Sequence, residues 1–303
     1  MNPPRLIAGD AHPALGRRIA DTAGAELVPC PLSAFADGEI RVRIQADLCG
    51  GDVYVVQPTS PPVNERLMAL ALIGDAARAA GASRLTAVVP YFGYARQDAR
   101  KGPGEARSAQ MAARILECAG YERLVALELH SAALDSALRI PLTHLEADDA
   151  ALPLILKWRL DELTIVSPDA GGLKRAQRYA SALRAPLAVV AKTRPQADAV
   201  GALTVLGDVR GRQCLIVDDM ASTGGTIAGA AEALRAAGAD AVHAFFVHAV
   251  MAPRALERIK AAGVRLVAAT DSVDFPAHAQ QHLKTVETAP LFARALRSLA
   301  GGG

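Results

Sequence analysis

The stretch LIVDDMASTGGT, residues 215–226, indicates both the fold and the chemistry of the chain. It begins as a short apolar run typical of a buried strand, continues with the adjacent acids Asp218 and Asp219, and ends in a turn rich in glycine and hydroxyl groups. In open α/β sheets, ligands bind beyond the carboxyl ends of the strands, where the following helix offers free N–H groups and a positive dipole end. The stretch therefore predicts a strand, an anion-binding loop and a helix, in that order.

The turn after the acids has the composition of a monophosphate pocket. Glycines let the backbone curl so that several N–H groups point at one phosphate, and hydroxyl groups add donors. It is not a P-loop, because no Gly-Lys pair followed by Ser or Thr ends it. The predicted phosphate-binding residues are Ser222, Thr223, Gly224, Gly225 and Thr226.

The acid pair is expected to face a different part of the ligand, because carboxylates that touched a phosphate would repel it. A ribose satisfies both features, since its hydroxyls can donate hydrogen bonds to Asp218 and Asp219 while the loop holds its 5-phosphate. The alternative is an acidic strand end followed by an ordinary glycine turn. The coincidence of several position-specific features with an apolar strand favours the ribose-phosphate interpretation.

The rest of the chain repeats this pattern, because short β-branched runs alternate with alanine-rich stretches of helical spacing. Such alternation is typical of parallel α/β units, and 303 residues suggest two domains. Strands are predicted at residues 5–9, 52–57, 84–90, 124–129, 163–168, 187–192, 214–219, 241–248 and 264–270. Helices are predicted at residues 64–80, 106–119, 173–183, 226–237 and 253–262.

A weak internal repeat favours two related halves. LTAVVPYFG from Leu85 is similar to LTIVSPDAG from Leu163, at an offset of 78, and RAAGA occurs at Arg78 and at Arg235, at an offset of 157. Helix-ending chemistry alone could also produce RAAGA, because glycine commonly closes helices. We assign residues 1–145 and 146–303 to two domains and allow the last segment to pack back on the first domain.

Composition excludes several classes of function. The 33 Lys and Arg residues nearly balance 31 Asp and Glu residues without a long basic run, which does not suggest a nucleic-acid surface. The four cysteines show no CxxC pair, so we expect reduced thiols. A signal peptide and an apolar stretch of membrane-spanning length are both lacking, which predicts a soluble, cytoplasmic protein without membrane contact.

VDDMASTGGT resembles the phosphoribosyl-binding loop that type I phosphoribosyltransferases share with ribose-phosphate diphosphokinases, also called phosphoribosyl diphosphate synthases. The commoner form in the synthases has Asp where this chain has Ser222. The resemblance implies two α/β domains of the type I phosphoribosyltransferase kind, each a mostly parallel sheet flanked by helices. The loop does not separate the two groups of enzymes, because both hold the same ribose phosphate.

The segment VVPYFGYARQDARK, residues 88–101, places three cations within six residues after a predicted strand, which suits a polyphosphate. A solvated basic turn is the alternative. The segment resembles the ATP-binding PYFGYARQDR of the synthases, which transferases of this fold do not normally carry. The resemblance implies that Arg96, Gln97 and Asp98 bind ATP.

FADGE, residues 35–39, is by itself a hairpin turn, because Asp-Gly is strong turn chemistry. It resembles the FSDGE element of the synthases. That resemblance implies that Phe35 stacks on adenine and that Asp37 and Glu39 read the base, generally across a subunit boundary. We therefore expect a homo-oligomer in which this element completes a neighbour's ATP site.

LELH, which ends at His130, and SPDAGG, which contains Asp169, each follow a predicted strand. A lone histidine at a strand end is more often structural than a ligand. These segments resemble two synthase motifs, with Glu128 where Asp is usual. The resemblance implies that His130 and Asp169 serve Mg²⁺ and the nucleotide phosphates.

VVAKTRP, residues 189–195, carries Lys192 and Arg194 on one face of an extended segment, where two cations can converge on one charged group. An ordinary polar strand exit is the alternative. In the synthases the corresponding KxR opens a flexible loop that closes over the reacting phosphates, so the resemblance implies catalytic roles for Lys192 and Arg194.

The resemblance covers almost the whole chain, from LIAGDAHPALGRRIA to ATDSVDFP, and is greatest to the shorter synthases. It implies transfer of a diphosphoryl group from ATP to the 1-hydroxyl of ribose 5-phosphate, giving 5-phosphoribosyl 1-diphosphate and AMP. In the amino half, QPTSPPVNER, residues 57–66, replaces the acid pair and glycine loop and is not expected to hold a second ribose phosphate. A phosphoribosyltransferase that consumes the diphosphate and a non-catalytic regulatory homologue are the alternatives.

Overall fold

The structure is a computed structural model that describes residues 3–100, 102–130, 134, 138–193, 202–275 and 283–301. Residues cluster into two compact units. The first unit comprises Met1–Glu146, Ser272–Asp274 and Thr288–Gly303, and the second comprises Ala147–Asp271 and Phe275–Glu287.

The first unit contains a six-stranded sheet in which all paired strands are parallel, with the order β2-β1-β5-β6-β7-β8. Its strands are β1 (Arg5–Ala8), β2 (Glu26–Leu27), β5 (Asp52–Val56), β6 (Arg84–Val89), β7 (Arg123–Leu127) and β8 (Leu142–Leu145), and β3 (Leu32–Ala34) and β4 (Ile40–Val42) form a separate antiparallel hairpin. Its helices are α1 (Pro13–Ala23), α2 (Val63–Ala79), α3 (Ser108–Cys118) and the C-terminal α8 (Ala289–Gly301).

The second unit contains a seven-stranded sheet with the order β11-β10-β9-β12-β13-β14-β15, in which β11 alone among the described strands runs antiparallel to its neighbour. Its strands are β9 (Leu163–Ser167), β10 (Leu187–Thr193), β11 (Ala202–Leu206), β12 (Gln213–Ala221), β13 (Ala241–Ala249), β14 (Val264–Thr270) and β15 (Lys284–Val286). Its helices are α4 (Asp148–Lys157), α5 (Leu173–Leu183), α6 (Gly225–Ala236) and α7 (Ala255–Ala261).

Central strands of both sheets are buried along most of their length, as expected when helices cover both faces of a parallel sheet. All nine residues of β13 are buried, and β6 is buried at every position after Arg84. Flanking helices bury one face each: α5 buries Ala176, Tyr179 and Ala180 against the sheet and exposes most of its other residues. The α/β class predicted from the sequence is confirmed.

The two sheets share one strand plan. Five parallel strands occur in the order β1-β5-β6-β7-β8 in the first unit and in the order β9-β12-β13-β14-β15 in the second. By this plan β5 corresponds to β12, and the two RAAGA segments end the corresponding helices α2 and α6. The similarity between LTAVVPYFG and LTIVSPDAG instead pairs β6 with β9. These strands do not occupy corresponding positions in the two sheets, so that match does not reflect the structural repeat.

All nine predicted strands and all five predicted helices are present, with ends that shift by up to two residues. Helices α1, α4 and α8 and six short strands, β2, β3, β4, β8, β11 and β15, were not predicted. Helix α8 belongs to the first unit, where the Arg297 guanidinium donates to the carbonyl of Thr22 in α1 at 2.7 Å. Within the described residues, each helix is too short or too polar to span a bilayer.

Candidate active site

The acid pair lies inside β12 and not after its end, because the strand continues to Ala221. Asp218 and Asp219 are only 8 % and 5 % exposed. Their side chains also bind the strand's own backbone: the Asp219 N–H donates to Asp218 Oδ1 at 2.9 Å, and the Met220 N–H donates to Asp219 Oδ1 at 2.9 Å. The predicted strand, residues 214–219, placed the acids at its end, and the observed strand continues two residues beyond them.

A basic residue that the sequence interpretation missed faces both acids. Arg175, in the first turn of α5, places Nη1 at 3.8 Å from Asp218 Oδ1 and 4.0 Å from Asp219 Oδ1. Its side chain is 10 % exposed. The carboxylates are thus buried beside a positive charge and not in an apolar core.

The protonation of Asp218 follows from this arrangement. Burial raises the pKa of the Asp218 carboxyl well above its ordinary value, and the neighbouring charge of Asp219 raises it further. The Arg175 guanidinium acts in the opposite direction and lowers that pKa. Two adjacent buried carboxyl groups offer several hydrogen-bond acceptors, which suits a ligand that brings hydroxyl donors.

The predicted phosphate loop begins with residues 222–224, which connect β12 to α6, so the predicted order of strand, loop and helix is confirmed. Gly224 is the N-cap of α6, with a left-handed φ of 72°, and the Gly225 N–H that follows it donates to Thr223 Oγ1 at 3.4 Å. A Cβ on Gly224 would lie 2.6 Å from the Ala255 carbonyl oxygen, so both the dihedral angle and the space require glycine. The first N–H groups of α6 are therefore directed at the loop, where an anion is favoured.

Contacts from the α7 region hold this loop in place. The Ala252 N–H donates to the Ser222 carbonyl at 3.0 Å. A Cβ on Gly225 would lie 3.4 Å from Arg258 Nη1, so a guanidinium stands beside the start of α6. Thr223 and Thr226 are exposed, and a cavity of about 490 Å³ opens beside Thr223. Solvent and ligands can reach the hydroxyl face of the loop.

Asp169 lies two residues beyond the end of β9, the strand next to β12, so it shares the carboxyl edge of the sheet with the acid pair. Its Oδ1 accepts the Gly172 N–H at 3.0 Å, and the residue is exposed. A Cβ on Gly172 would lie 3.6 Å from Arg175 Nη1 and 3.8 Å from Asp169 Oδ1, so both charged groups flank this glycine.

The backbone of Lys192 lies near the carboxyl end of β10, which pairs with β9. Arg194 and the Lys192 side chain lie outside the described residues.

In the first unit, the predicted ATP-binding segment follows β6. Arg96 and Gln97 are exposed and Asp98 is half-buried. The Gln97 N–H donates to the Tyr94 carbonyl at 3.0 Å, and the Gln97 carbonyl accepts the Ala109 N–H of α3 at 3.2 Å. The Ser108 hydroxyl also donates to Gln97 Oε1. The exposed cation therefore projects from a segment that is bonded to the start of a helix.

His130 is exposed and follows β7, the neighbour of β6, so it lies at the same edge of the first sheet as the ATP-binding segment. Two residues before it, Glu128 is buried with a left-handed φ of 42°. The Leu129 N–H donates to His144 Nε2 at 3.0 Å. The described residues contain no group of three or more His, Cys, Asp or Glu side chains that could hold a metal ion by themselves.

Phe35 lies at the tip of the β3–β4 hairpin, as the Asp-Gly turn predicts, and is 53 % exposed. The guanidinium carbon of Arg41 lies 6.0 Å from the centroid of its ring, within the range of a cation–π contact. The Glu39 N–H donates to Asp37 Oδ1 at 3.1 Å, and both acids are exposed. The hairpin therefore presents an aromatic ring and two carboxylates to the outside of this chain.

Comparisons with known proteins agree over the full length of the chain. The model of the N-terminal domain of ribose phosphate pyrophosphokinase matches residues 4–120, and the model of the phosphoribosyl transferase domain matches residues 136–279. A ribose-phosphate pyrophosphokinase of Cereibacter sphaeroides is 39 % identical over 313 residues, which cover 100 % of this chain and 93 % of the relative. A ribose-phosphate pyrophosphokinase of Gloeobacter violaceus is 40 % identical over 296 residues, which cover 96 % of this chain and 89 % of the relative.

A solved structure is similar over the same extent. The crystal structure of phosphoribosylpyrophosphate synthetase from Mycobacterium smegmatis superposes with a TM-score of 0.93, at 33 % identity and with 100 % of both chains covered.

Proposed function

The chain belongs to the ribose-phosphate pyrophosphokinase family, and on that premise we propose how its residues carry out the family's reaction. The enzyme transfers a diphosphoryl group from ATP to the 1-hydroxyl of ribose 5-phosphate and releases AMP. The observation that carries our assignment is the glycine loop at the start of α6, directly beyond a buried acid pair that faces Arg175.

The second unit binds the acceptor. The 5-phosphate sits on the loop from Ser222 to Thr226, where backbone N–H groups, hydroxyls and the helix dipole stabilise its charge. The ribose hydroxyls donate to Asp218 and Asp219. These interactions leave the 1-hydroxyl as the free end of the sugar.

The first unit binds the donor through residues at the carboxyl edge of its sheet. Arg96, Gln97 and Asp98 bind the nucleotide, with Arg96 supplying positive charge for the phosphates. Phe35, Asp37 and Glu39 of a second copy of the chain complete the adenine site. The exposure of Phe35 supports this, because a large exposed aromatic ring is typical of a residue that binds a partner or ligand.

The chemical step uses the substrate's own nucleophile. The 1-hydroxyl oxygen attacks the β-phosphorus and loses its proton to solvent. The bond from this phosphorus to the oxygen that bridges it to the α-phosphorus breaks, and AMP leaves with that oxygen. Negative charge grows on the bridging and equatorial oxygens, where Lys192 and Arg194 stabilise it. Fixing both substrates supplies much of the remaining acceleration, because in-line attack requires orientation.

Magnesium fits the residues present. The exposed carboxylate of Asp169 is an oxygen ligand of the kind that Mg²⁺ prefers, and Mg²⁺ commonly keeps waters and substrate phosphates as its other ligands. A site with few protein ligands therefore agrees with the lack of a larger cluster in the described part of the chain. We propose that Asp169 and His130 serve the metal and the nucleotide phosphates. When bound, Mg²⁺ supplies charge stabilisation for the diphosphoryl oxygens.

The test is an assay of AMP and phosphoribosyl diphosphate release from the purified protein. We expect both products in equal amounts, only when ATP and ribose 5-phosphate are supplied together with Mg²⁺. Consumption of added phosphoribosyl diphosphate without AMP formation would instead indicate a transferase, and absence of both reactions would indicate a non-catalytic homologue. The homo-oligomer and the cytoplasmic location stay predictions.

A further inference from the structure

The segment QPTSPPVN, residues 57–64, occupies in the first unit the place of the phosphate loop in the second. Its residues 57–62 connect β5 to α2, as residues 222–224 connect β12 to α6, and β5 corresponds to β12 in the shared strand plan. Its first side chain, Gln57, is fully buried and hydrogen-bonded to the Ala11 N–H and to Asp10. This segment lacks the acid pair and the glycines that would hold a ribose phosphate. Its role must therefore be sought in the contacts that it makes.

Thr59 joins this segment to the ATP-binding segment. It is 2 % exposed. Its N–H donates to the Tyr91 carbonyl at 2.8 Å and its hydroxyl donates to the same carbonyl at 3.1 Å. The same hydroxyl oxygen accepts the Gly93 N–H at 2.6 Å. One buried hydroxyl therefore bonds to the backbone on both sides of Phe92.

Gly93 and Tyr94, which follow Phe92, also pack closely against residues 57–64. A Cβ on Gly93 would lie 2.6 Å from the Thr59 carbonyl oxygen and 2.7 Å from Val63 Cγ1. Tyr94 has a left-handed φ of 67°, which a residue other than glycine rarely adopts unless its surroundings hold it there. Its hydroxyl donates to Asn64 Oδ1, which is one such restraint.

The turn at Gly93 and Tyr94 fixes the position of the backbone that carries the proposed nucleotide-binding side chains. Tyr94 accepts the Gln97 N–H at 3.0 Å, and Gln97 is bonded in turn to the start of α3. The stretch with Arg96 is thus anchored at one end by Thr59 and Asn64 and at the other end by α3. A site that must hold a triphosphate in line benefits when its groups are fixed before the ligand binds.

We propose that Thr59 is a positioning residue for ATP, which fixes the backbone from which Arg96 and Gln97 reach the nucleotide. This inference rests on the proposed function, because it presumes that those residues bind ATP. The first unit's counterpart of the phosphate loop then supports the donor site and binds no ligand phosphate itself.

The test compares Thr59→Val with Thr59→Ser in steady-state assays that vary each substrate. Valine keeps the size of the side chain but leaves the buried Gly93 N–H without its acceptor, whereas serine keeps the hydroxyl. We expect Thr59→Val to raise KM for ATP roughly tenfold with KM for ribose 5-phosphate unchanged, and Thr59→Ser to stay within about twofold of the parent. A destabilised core would instead affect both substrates.

Arg96→Ala serves as the reference, because it removes a proposed ATP contact directly. If Arg96→Ala raises KM for ATP and Thr59→Val does not, the positioning inference is wrong while the proposed function stands. If Arg96→Ala leaves KM for ATP unchanged, the donor-site assignment fails and the inference fails with it. Equal increases of both KM values in Thr59→Val would also overturn it.

Tyr94→Phe keeps the test decisive if Thr59→Val does not fold. The substitution removes a hydroxyl from a half-exposed side chain and breaks the bond to Asn64. We expect a smaller increase in KM for ATP, roughly threefold, with KM for ribose 5-phosphate unchanged. An unchanged KM for ATP would contradict the inference.

Discussion

Among single residues, Arg175, Asp218 and Asp219 form the electrostatic centre of the proposed acceptor site. The sequence was sufficient to single out both acids, because they interrupt an apolar run directly before a glycine turn. It was not sufficient for Arg175, which reaches the acids only because one face of α5 packs against β9 and β12. Its sole signal was its position six residues after Asp169, in the first turn of the following helix.

Asp218→Asn is expected to make the ligand-free protein more stable. The pKa of Asp218 is raised in the folded state, so the ionised carboxylate destabilises the fold, and the free energy of unfolding falls as pH rises above the ordinary carboxyl range. We expect a gain of about 1 kcal/mol near neutral pH that disappears below about pH 4, where the carboxyl is protonated in both states.

Denaturant unfolding at both pH values measures this gain, and a titration with ribose 5-phosphate is expected to show weakened binding of that sugar. A variant that is less stable than the parent at neutral pH would show that Asp218 stabilises the empty site.

Arg175→Gln is expected to weaken ribose 5-phosphate binding at least tenfold while KM for ATP stays unchanged, because two buried carboxylates lose their shared counter-charge. Arg178→Gln on the same helix is the matched control. Arg178 pairs with Asp148 at 2.8 and 3.0 Å, so its loss affects stability. An equal effect of both variants on the KM for ribose 5-phosphate would show that Arg175 acts only through stability.

At the scale of elements, the junction between β12 and α6 was predictable because glycine, hydroxyl and apolar residues specify it locally. The missed elements depend on contacts that local pattern does not specify. Strand β2 has two residues, and α4 contains Pro153, which argues against a helix in the sequence. The end of β12 was also misplaced, because two acids look like a strand end until tertiary neighbours supply Arg175 and backbone partners.

Gly224→Ala tests the phosphate loop itself. Alanine at φ 72° would be strained, and its Cβ would lie 2.6 Å from the Ala255 carbonyl oxygen, so the loop must move away from α7. We expect a loss of about 2 kcal/mol in the free energy of unfolding and at least tenfold weaker ribose 5-phosphate binding.

The matched control is Gly211→Ala, because Gly211 has a φ of 69° with no atom within 4 Å of the added Cβ. It carries the same dihedral strain without the collision and lies outside the proposed site. Isothermal titration with ribose 5-phosphate measures both variants. If Gly211→Ala weakens binding as much as Gly224→Ala does, the loop has no special role.

At the scale of the whole molecule, two units with one strand plan carry different loops at corresponding positions. The alternation of strands and helices was enough to predict two α/β units, because parallel sheets impose long apolar strands at regular spacing. The correspondence between units was harder to read. Of the two sequence matches, only the RAAGA pair lies at corresponding positions of the two units, because the loops after β5 and β12 differ in sequence.

Mixing two variants that are impaired in different ways tests whether the hairpin serves a neighbouring subunit. Lys192→Ala is expected to lower turnover about a hundredfold or more, and Phe35→Ala to weaken ATP binding. If Lys192 and Phe35 of one site come from different subunits, random exchange of subunits between the two variants gives about a quarter of the sites in which both side chains are intact. AMP release by the mixture should then exceed that of either variant alone. No recovery after demonstrated exchange would show that Phe35 does not act across subunits.

We propose that the glycine loop holds the sugar's phosphate while the buried acids hold its hydroxyls. A crystal structure with bound ribose 5-phosphate measures this most directly. We expect the phosphate within hydrogen-bond distance of the N–H groups of Gly224, Gly225 and Thr226, and ring hydroxyls within the same distance of Asp218 or Asp219. A phosphate bound elsewhere, or acids that contact only Arg175 and the backbone, would contradict it.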